Sequence, residues 1–155
     1  FDPNIREPLW KDMEDARTQM AYGLSVCDIL KISDNEIQWF SGKEDYTEGI
    51  HMLQQTYQIP LILLSMGKDG SRAYYKDMLV EVPAFLQKNT IETTGAGDTF
   101  GACCLHHILK YGLDNLTKQQ LKEMLTFANA AASIITTRKG ALRVMPSLEE
   151  IQRLL

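Results

Sequence analysis

The chain has 155 residues, a formal net charge of −4, and 45% hydrophobic and 23% charged residues, which is ordinary usage for a globular domain with one core. Its lysines and arginines are scattered, so we expect neither nucleic acid nor anionic lipid as a partner. No apolar run approaches the ~18 residues that span a membrane, and no signal peptide is visible. Three cysteines without framework spacing fit reduced thiols in a cytosol better than disulfides, which predicts a cytoplasmic protein.

Short apolar runs alternate with helical periodicity along the chain, which predicts an α/β fold with a mainly parallel sheet. Gly112 and Ser147 mark a helix end and a helix start in this pattern. The predicted elements are a helix at 9–22, a strand at 26–32, helices at 34–40 and 47–57, a buried strand at 61–64, an edge hairpin of 71–75 and 78–82, helices at 97–111 and 117–135, and a last helix capped by Ser147.

A glycine-rich segment at 93–99 opens the helix predicted at 97–111 and places Asp98 in its first turn. Glycines at a helix start let backbone N–H groups converge on an anion, and the helix dipole stabilises negative charge there. A carboxylate would repel a phosphate that was only being held, so Asp98 indicates chemistry on a hydroxyl beside that phosphate. From the residues alone, a plain Gly-rich turn with Asp98 as a dipole partner remains the alternative.

The segment around Asp98 resembles the signature of the ribokinase-like (PfkB) carbohydrate kinases. The stretch at 1–10 is similar to one shared by the fructokinase and 2-keto-3-deoxygluconate kinase branch of that family. The resemblance implies a three-layer α/β fold with helices flanking the sheet. It also implies that residues 1–155 are the C-terminal half of a kinase domain, without the half that holds the lid and most sugar contacts. Three further segments fall in the family's order, at 31–36, 64–70 and 137–141.

The resemblance also implies roles for individual residues. Asp98 would be the catalytic base, and Asn4 and Arg6 would lie on the substrate side, at a strand end where open α/β sheets bind ligands. Without the family context, Arg6 could equally form a surface salt bridge. The anion hole would be formed by the backbone of Gly95, Ala96 and Gly97.

Nucleotide and metal ligands are implied in the same way. Glu36 would be an indirect ligand of Mg²⁺, although Ser33 stands where relatives usually have asparagine. Glu92 replaces an aspartate that relatives use to bind a monovalent cation, so K⁺ is kept only as a candidate ligand. Taken alone, Glu36 would be an exposed helix-start acid and Asn129 a satisfied core amide. The ATP-binding positions would be Ser65, Gly67, Gly70 and Asn129.

The function that follows from the resemblance is ATP-dependent phosphorylation of a sugar hydroxyl, with fructose as the first candidate substrate. One alternative is 2-keto-3-deoxygluconate, because the stretch at 1–10 occurs in both branches. Another is a nucleotide-binding fragment without turnover, since the lid and most sugar contacts would be missing from the isolated chain. A homodimer is the assembly to test for the full-length enzyme.

Overall fold

The computed structural model describes residues 1–155, which form six α-helices and four β-strands. Helices and strands alternate through the first half of the chain, so the predicted α/β class is confirmed. Short 3₁₀ turns cover Glu7–Leu9, Gly67–Asp69 and Leu142–Val144. In chain order the elements are α1 (Met13–Val26), β1 (Ile29–Ser33), α2 (Asp34–Ser41), α3 (Tyr46–Tyr57), β2 (Leu61–Ser65), β3 (Ser71–Tyr75), β4 (Met78–Val82), α4 (Ala96–Tyr111), α5 (Lys118–Ile135) and α6 (Leu148–Leu154).

The four strands form one sheet in the order β1–β2–β3–β4. β1 and β2 pair in parallel, with a register that runs from Ile29 opposite Leu61 to Ser33 opposite Ser65. The connection between them contains α2 and α3, because parallel neighbours need a long crossover. β3 and β4 are joined by residues 76–77 only, and Lys76 has the positive φ of 52° that two-residue hairpin turns demand. The predicted hairpin at the sheet edge is confirmed.

Local capping signals fix where several helices begin. α2, α5 and α6 each start with a reciprocal capping box, in which the N-cap hydroxyl and the side chain three residues later bond to each other's backbone N–H. α1 begins at Met13 rather than at residue 9, because the Asp12 carboxylate caps it by accepting a bond from the Glu14 N–H at 2.9 Å. This helix continues to Val26, so the strand predicted from residue 26 begins only at Ile29.

The chain divides into two compact units, residues 1–65 with 74–77 and residues 66–73 with 78–155. In the first unit, α2 packs against α3 and β1, and the strand residues 61–64 are at most 1% exposed. In the second unit, α5 packs against α4, β4 and α6, around a core that includes Ala130, Ala131 and Ile151. None of the helices combines the length and the apolar content that crossing a membrane requires.

Candidate active site

The start of α4 leaves backbone donors available. Its N-cap is Gly95, which has φ 78° and no side chain with which to cap the helix. The first helical bond runs from the Thr99 N–H to the Gly95 carbonyl at 2.9 Å, and the Ala96 N–H is bonded to the Thr93 carbonyl at 3.1 Å. The N–H groups of Gly97 and Asp98 therefore have no acceptor within the helix. Because Asp98 is exposed in this same turn, an anion bound at these donors would lie beside a carboxylate.

The loop that precedes α4 lies against the loop that follows α5. A Cβ added to Gly95 would stand 3.1 Å from the Ala141 Cβ and 3.2 Å from the Ala141 Cα, so a side chain here would be strained by the positive φ and would need its neighbours to shift by a few tenths of an ångström. The Gly140 N–H donates to Glu92 Oε1 at 2.6 Å, and we call this contact the Glu92 latch. The latch already engages the carboxylate that the resemblance associates with a monovalent cation. Arg138 fixes the same loop by donating to the Val144 carbonyl at 3.0 Å.

Glu36 lies in the first turn of α2 and belongs to its capping box. Its Oε2 accepts bonds from both the N–H and the hydroxyl of Ser33, each at 2.8 Å. No group of three or more His, Cys, Asp or Glu side chains is placed to hold a metal ion. Mg²⁺ usually keeps several waters and binds through one or two carboxylates together with substrate phosphates. The observed bonds show Glu36 in the cap of α2, and its role as an indirect Mg²⁺ ligand stays a prediction.

One pocket brings together the substrate-side residues predicted from the sequence. It has a volume of about 330 Å³, and Asn4, Arg6 and Glu36 all contribute to its wall. Asn4 and Arg6 are exposed, and both have a left-handed φ of 46°. The pocket is also lined by residues that the sequence did not single out for a site: Ile5, Glu7, Asn35 and Trp39.

Trp39 is held at the pocket by a cation from the neighbouring helix. The Arg17 guanidinium lies 4.4 Å from the centroid of the Trp39 ring and donates to the carbonyls of Trp39 and Phe40 at 3.1 and 2.8 Å. A cation is favourable both over an indole face and beside the last carbonyls of a helix. Trp39 follows Glu36 by three residues in α2. This spacing in the sequence could have predicted that both side chains lie on one face of the helix.

Two of the predicted nucleotide-side residues lie at or just after the end of β2, Ser65 half-buried and Gly67 exposed. Ser65 ends β2 directly opposite Ser33, so both lie at the carboxyl end of the parallel pair, where α/β sheets bind ligands. Gly67 is exposed, has φ 53°, and leaves open space within 4 Å of the position a Cβ would take. A ligand could therefore approach the backbone closely at Gly67.

The other two residues support the backbone at the end of β4. Gly70 has φ 101°, and a Cβ there would lie 2.2 Å from the Val82 carbonyl oxygen. Asn129 is only 7% exposed, and its amide donates to the carbonyls of Val82 and Pro83, each at 3.1 Å. Gly70 and Asn129 thus contact the same short segment. Their direct contact with a nucleotide stays a prediction.

The cysteines of α4 have little nucleophilic character. Burial raises the pKa of the Cys103 thiol to about 11. Burial also raises the pKa of the fully buried Cys104 thiol well above its usual range, and the neighbouring Cys103 adds to the effect. Thiolates are the reactive and metal-binding form, so these residues act as packing side chains at neutral pH.

The family model of the pfkB family carbohydrate kinases matches residues 1–148. Fructokinase-1 of Zea mays is 34% identical over 155 residues, which are 100% of this chain and 48% of that protein. The fructokinase of Klebsiella pneumoniae is 36% identical over 99% of this chain and 49% of its own length.

The fold matches that of a solved fructokinase. The crystal structure of fructokinase from Vibrio cholerae O395, in its fructose, ADP and calcium ion bound form, superposes with a TM-score of 0.89 at 27% identity. The match covers 100% of this chain and 49% of that one, which shows a ribokinase-like arrangement. The chain spans about half the length of these relatives. Because the family model extends over nearly the whole chain, the chain belongs to the pfkB family of carbohydrate kinases.

Proposed function

We propose that the protein containing this chain transfers the γ-phosphoryl group of ATP to a sugar hydroxyl, and that the sugar is fructose. The observation that carries the proposal is the start of α4, where unpaired N–H groups and the exposed Asp98 carboxylate share one turn. Donors alone would suit a phosphate-binding loop, whereas a carboxylate beside them suits proton removal from a hydroxyl. The similarity to fructokinases, at about 35% identity, makes fructose the first candidate among the sugars.

In the proposed reaction the sugar oxygen attacks the γ-phosphorus while the bond from that phosphorus to the bridging oxygen breaks, and ADP leaves. The hydroxyl proton passes to the Asp98 carboxylate as the new O–P bond forms. The N–H groups of Gly97 and Asp98 stabilise the charge that spreads over the moving phosphoryl group. Positioning and electrostatics carry most of the catalysis in such a loose transition state.

Asn4 and Arg6 would hold the substrate side of the reaction in the 330 Å³ pocket. The planar guanidinium of Arg6 suits an oxyanion, and the Asn4 amide suits a hydroxyl. Glu36 would hold a water of a bound Mg²⁺ on the wall of the same pocket. When bound, Mg²⁺ neutralises charge on the phosphate oxygens. K⁺ stays a candidate ligand beside Glu92, whose Oε1 accepts a bond from the Gly140 N–H.

On the nucleotide side, Ser65 and Gly67 are the residues we expect to contact ATP, because Gly67 is exposed and Ser65 is half-buried at the carboxyl end of β2. Asn129 would contribute indirectly, by bonding the backbone at Val82, and Gly70 by allowing the close approach of that same backbone. This division predicts that Gly67→Ala weakens ADP binding and, because Gly67 has φ 53°, also lowers the free energy of unfolding by about 1–2 kcal/mol. Gly70→Ala should lower the free energy of unfolding further, since its Cβ would also collide with the Val82 carbonyl oxygen.

The decisive test is Asp98→Asn in the full-length kinase, assayed for ADP release with fructose. We expect kcat to fall by about 100- to 10,000-fold, the usual contribution of a general base, while ADP affinity is retained. Asp77→Asn, the same change in the exposed β3–β4 loop, is the matched control and should leave kcat unaltered. Near-normal turnover by the Asp98 variant would remove this residue from its proposed role.

The substrate is tested by a panel of sugars. We expect a much higher kcat/KM for fructose than for 2-keto-3-deoxygluconate, whose carboxylate would require further cationic contacts. Preference for the acid sugar would assign Arg6 to its carboxylate, and no turnover with any sugar would refute the proposed activity.

For the 155-residue chain by itself, calorimetry should show weak ADP binding, and the coupled assay should show no phosphoryl transfer to fructose.

A further inference from the structure

The pocket wall contributed by Asn4 and Arg6 is built from backbone in an unfavourable conformation. Both residues have φ 46°, in the left-handed region. Asparagine tolerates this region, but for arginine it is uncommon, because Cβ approaches the following carbonyl. Such conformations persist only where the surrounding structure holds them. Some contact must therefore fix this turn.

The contact is made by Trp10. Its indole Nε1–H donates to the carbonyl of Ile5, the residue between the two left-handed positions, at 2.7 Å. Backbone bonds close the 3₁₀ turn that follows, since the Leu9 N–H donates to the Arg6 carbonyl at 2.9 Å and the Trp10 N–H to the Glu7 carbonyl at 3.0 Å. The indole bond is the one side-chain bond in this set and hence the one that a substitution can remove.

We propose that Trp10 is a positioning residue for the substrate pocket, holding the Asn4–Arg6 turn in its left-handed form through the Ile5 carbonyl. This inference rests on the proposed function in taking Asn4 and Arg6 as the substrate side. Trp10 itself is not among the pocket-lining residues and acts through the turn. This positioning role gives a reason for the indole four residues after Arg6. The proposed catalytic and nucleotide-side residues give none.

The test compares Trp10→Phe, which keeps a ring but has no N–H, with Leu9→Ala. Leu9 is the matched control, because it lies in the same turn, is 77% exposed and bonds to Arg6 only through its backbone. Residues with positive φ give strong intraresidue amide–Hα cross peaks in NMR spectra. We expect these cross peaks at Asn4 and Arg6 in the wild-type chain and in Leu9→Ala, and their loss in Trp10→Phe.

The kinetic arm uses the full-length kinase. Loss of one hydrogen bond predicts that Trp10→Phe raises the KM for fructose about fivefold while kcat is unchanged. A variant that only loses stability would instead lower the active fraction and thus kcat. Unchanged cross peaks together with an unchanged KM would overturn the inference. If wild-type enzyme turns over no sugar, the proposed function fails, while the cross peaks still decide the role of Trp10.

A measurement on the wild-type chain covers the case in which Trp10→Phe does not fold. The chain has two tryptophans and therefore two indole N–H signals, which Trp39→Phe assigns. A bonded and half-buried indole N–H exchanges slowly with solvent deuterium. We expect slow exchange for Trp10, and exchange at the rate of free indole would refute its bond to Ile5.

Discussion

Gly95→Ala should destabilise the chain and disorder the start of α4. Gly95 has φ 78°, which costs a residue with a Cβ about 1–2 kcal/mol. Its Cβ would also lie 3.1 Å from the Ala141 Cβ and 3.3 Å from the Ile135 Cδ1, and such overpacking costs about 1–3 kcal/mol. Together these terms predict that the free energy of unfolding falls by about 2–5 kcal/mol.

The matched control is Gly101→Ala, six residues further along the same helix. A Cβ at Gly101 meets nothing within 4 Å, and its backbone is helical. The same substitution should therefore stabilise the chain there, by about 0.5–1 kcal/mol.

Urea unfolding of the two variants and the wild type measures both effects as opposite shifts of the midpoint, with the m-value unchanged. Equal stability of Gly95→Ala and the wild type, or a loss of equal size at Gly101, would refute the assigned contact between Gly95 and Ala141. Where the variant stays folded, we also expect weaker ADP binding, because the donors of the first α4 turn move with Gly95.

Three further predictions concern charged and titrating groups. Glu92→Ala removes the charged acceptor of the latch and should lower the free energy of unfolding by about 1.5–3 kcal/mol, with a smaller loss for Glu92→Gln, as measured in urea; equal losses would contradict an acceptor role. The alkylation rate of Cys103 should rise about tenfold per pH unit up to its pKa of about 11, and a plateau below pH 9 would contradict its burial. The backbone N–H of Ser147 and then the Arg138 guanidinium hold the pKa of the Glu150 carboxyl below its ordinary 4.5. Because the folded-state pKa is the lower one, the stability that Glu150 contributes is present above pH 4.5 and is lost as the pH falls through the lowered pKa; Glu150→Gln should remove that part of the acid dependence of the unfolding midpoint.

Much of the fold could be predicted because its signals are local. The hairpin strands at 71–75 and 78–82 have the predicted bounds, since a two-residue turn between apolar runs fixes both ends. The starts of α5 and α6 were predictable from Thr117 and Ser147, whose hydroxyls cap the next residues of the chain. Where two local signals compete, as at 9–13, the Asp12 cap prevailed over the apolar periodicity that began at Leu9.

The family, and with it the segment around Asp98, could also be recognised from short motifs in order along the chain. Motifs report which residues occur together, but not what each one contacts in the folded chain. Asn129 illustrates the difference, because its partner carbonyls at 82 and 83 are more than forty residues away. The sequence allows either an adenine contact or a core amide at this position, and the packing of α5 against β4 commits its N–H groups to the backbone.

The contacts around the candidate site were decided by tertiary structure. Glu92 meets Gly140, 48 residues later in the chain, and Gly95 meets Ala141, because folding brings together two loops whose sequences carry no sign of each other. The sequence assigns no bond to the Trp10 indole, and its bond to Ile5 depends on the left-handed backbone at Asn4 and Arg6. Residue type and spacing determine local conformation, since that energy depends on near neighbours. Which donor meets which acceptor depends on distances between segments, and only the packed chain sets those distances.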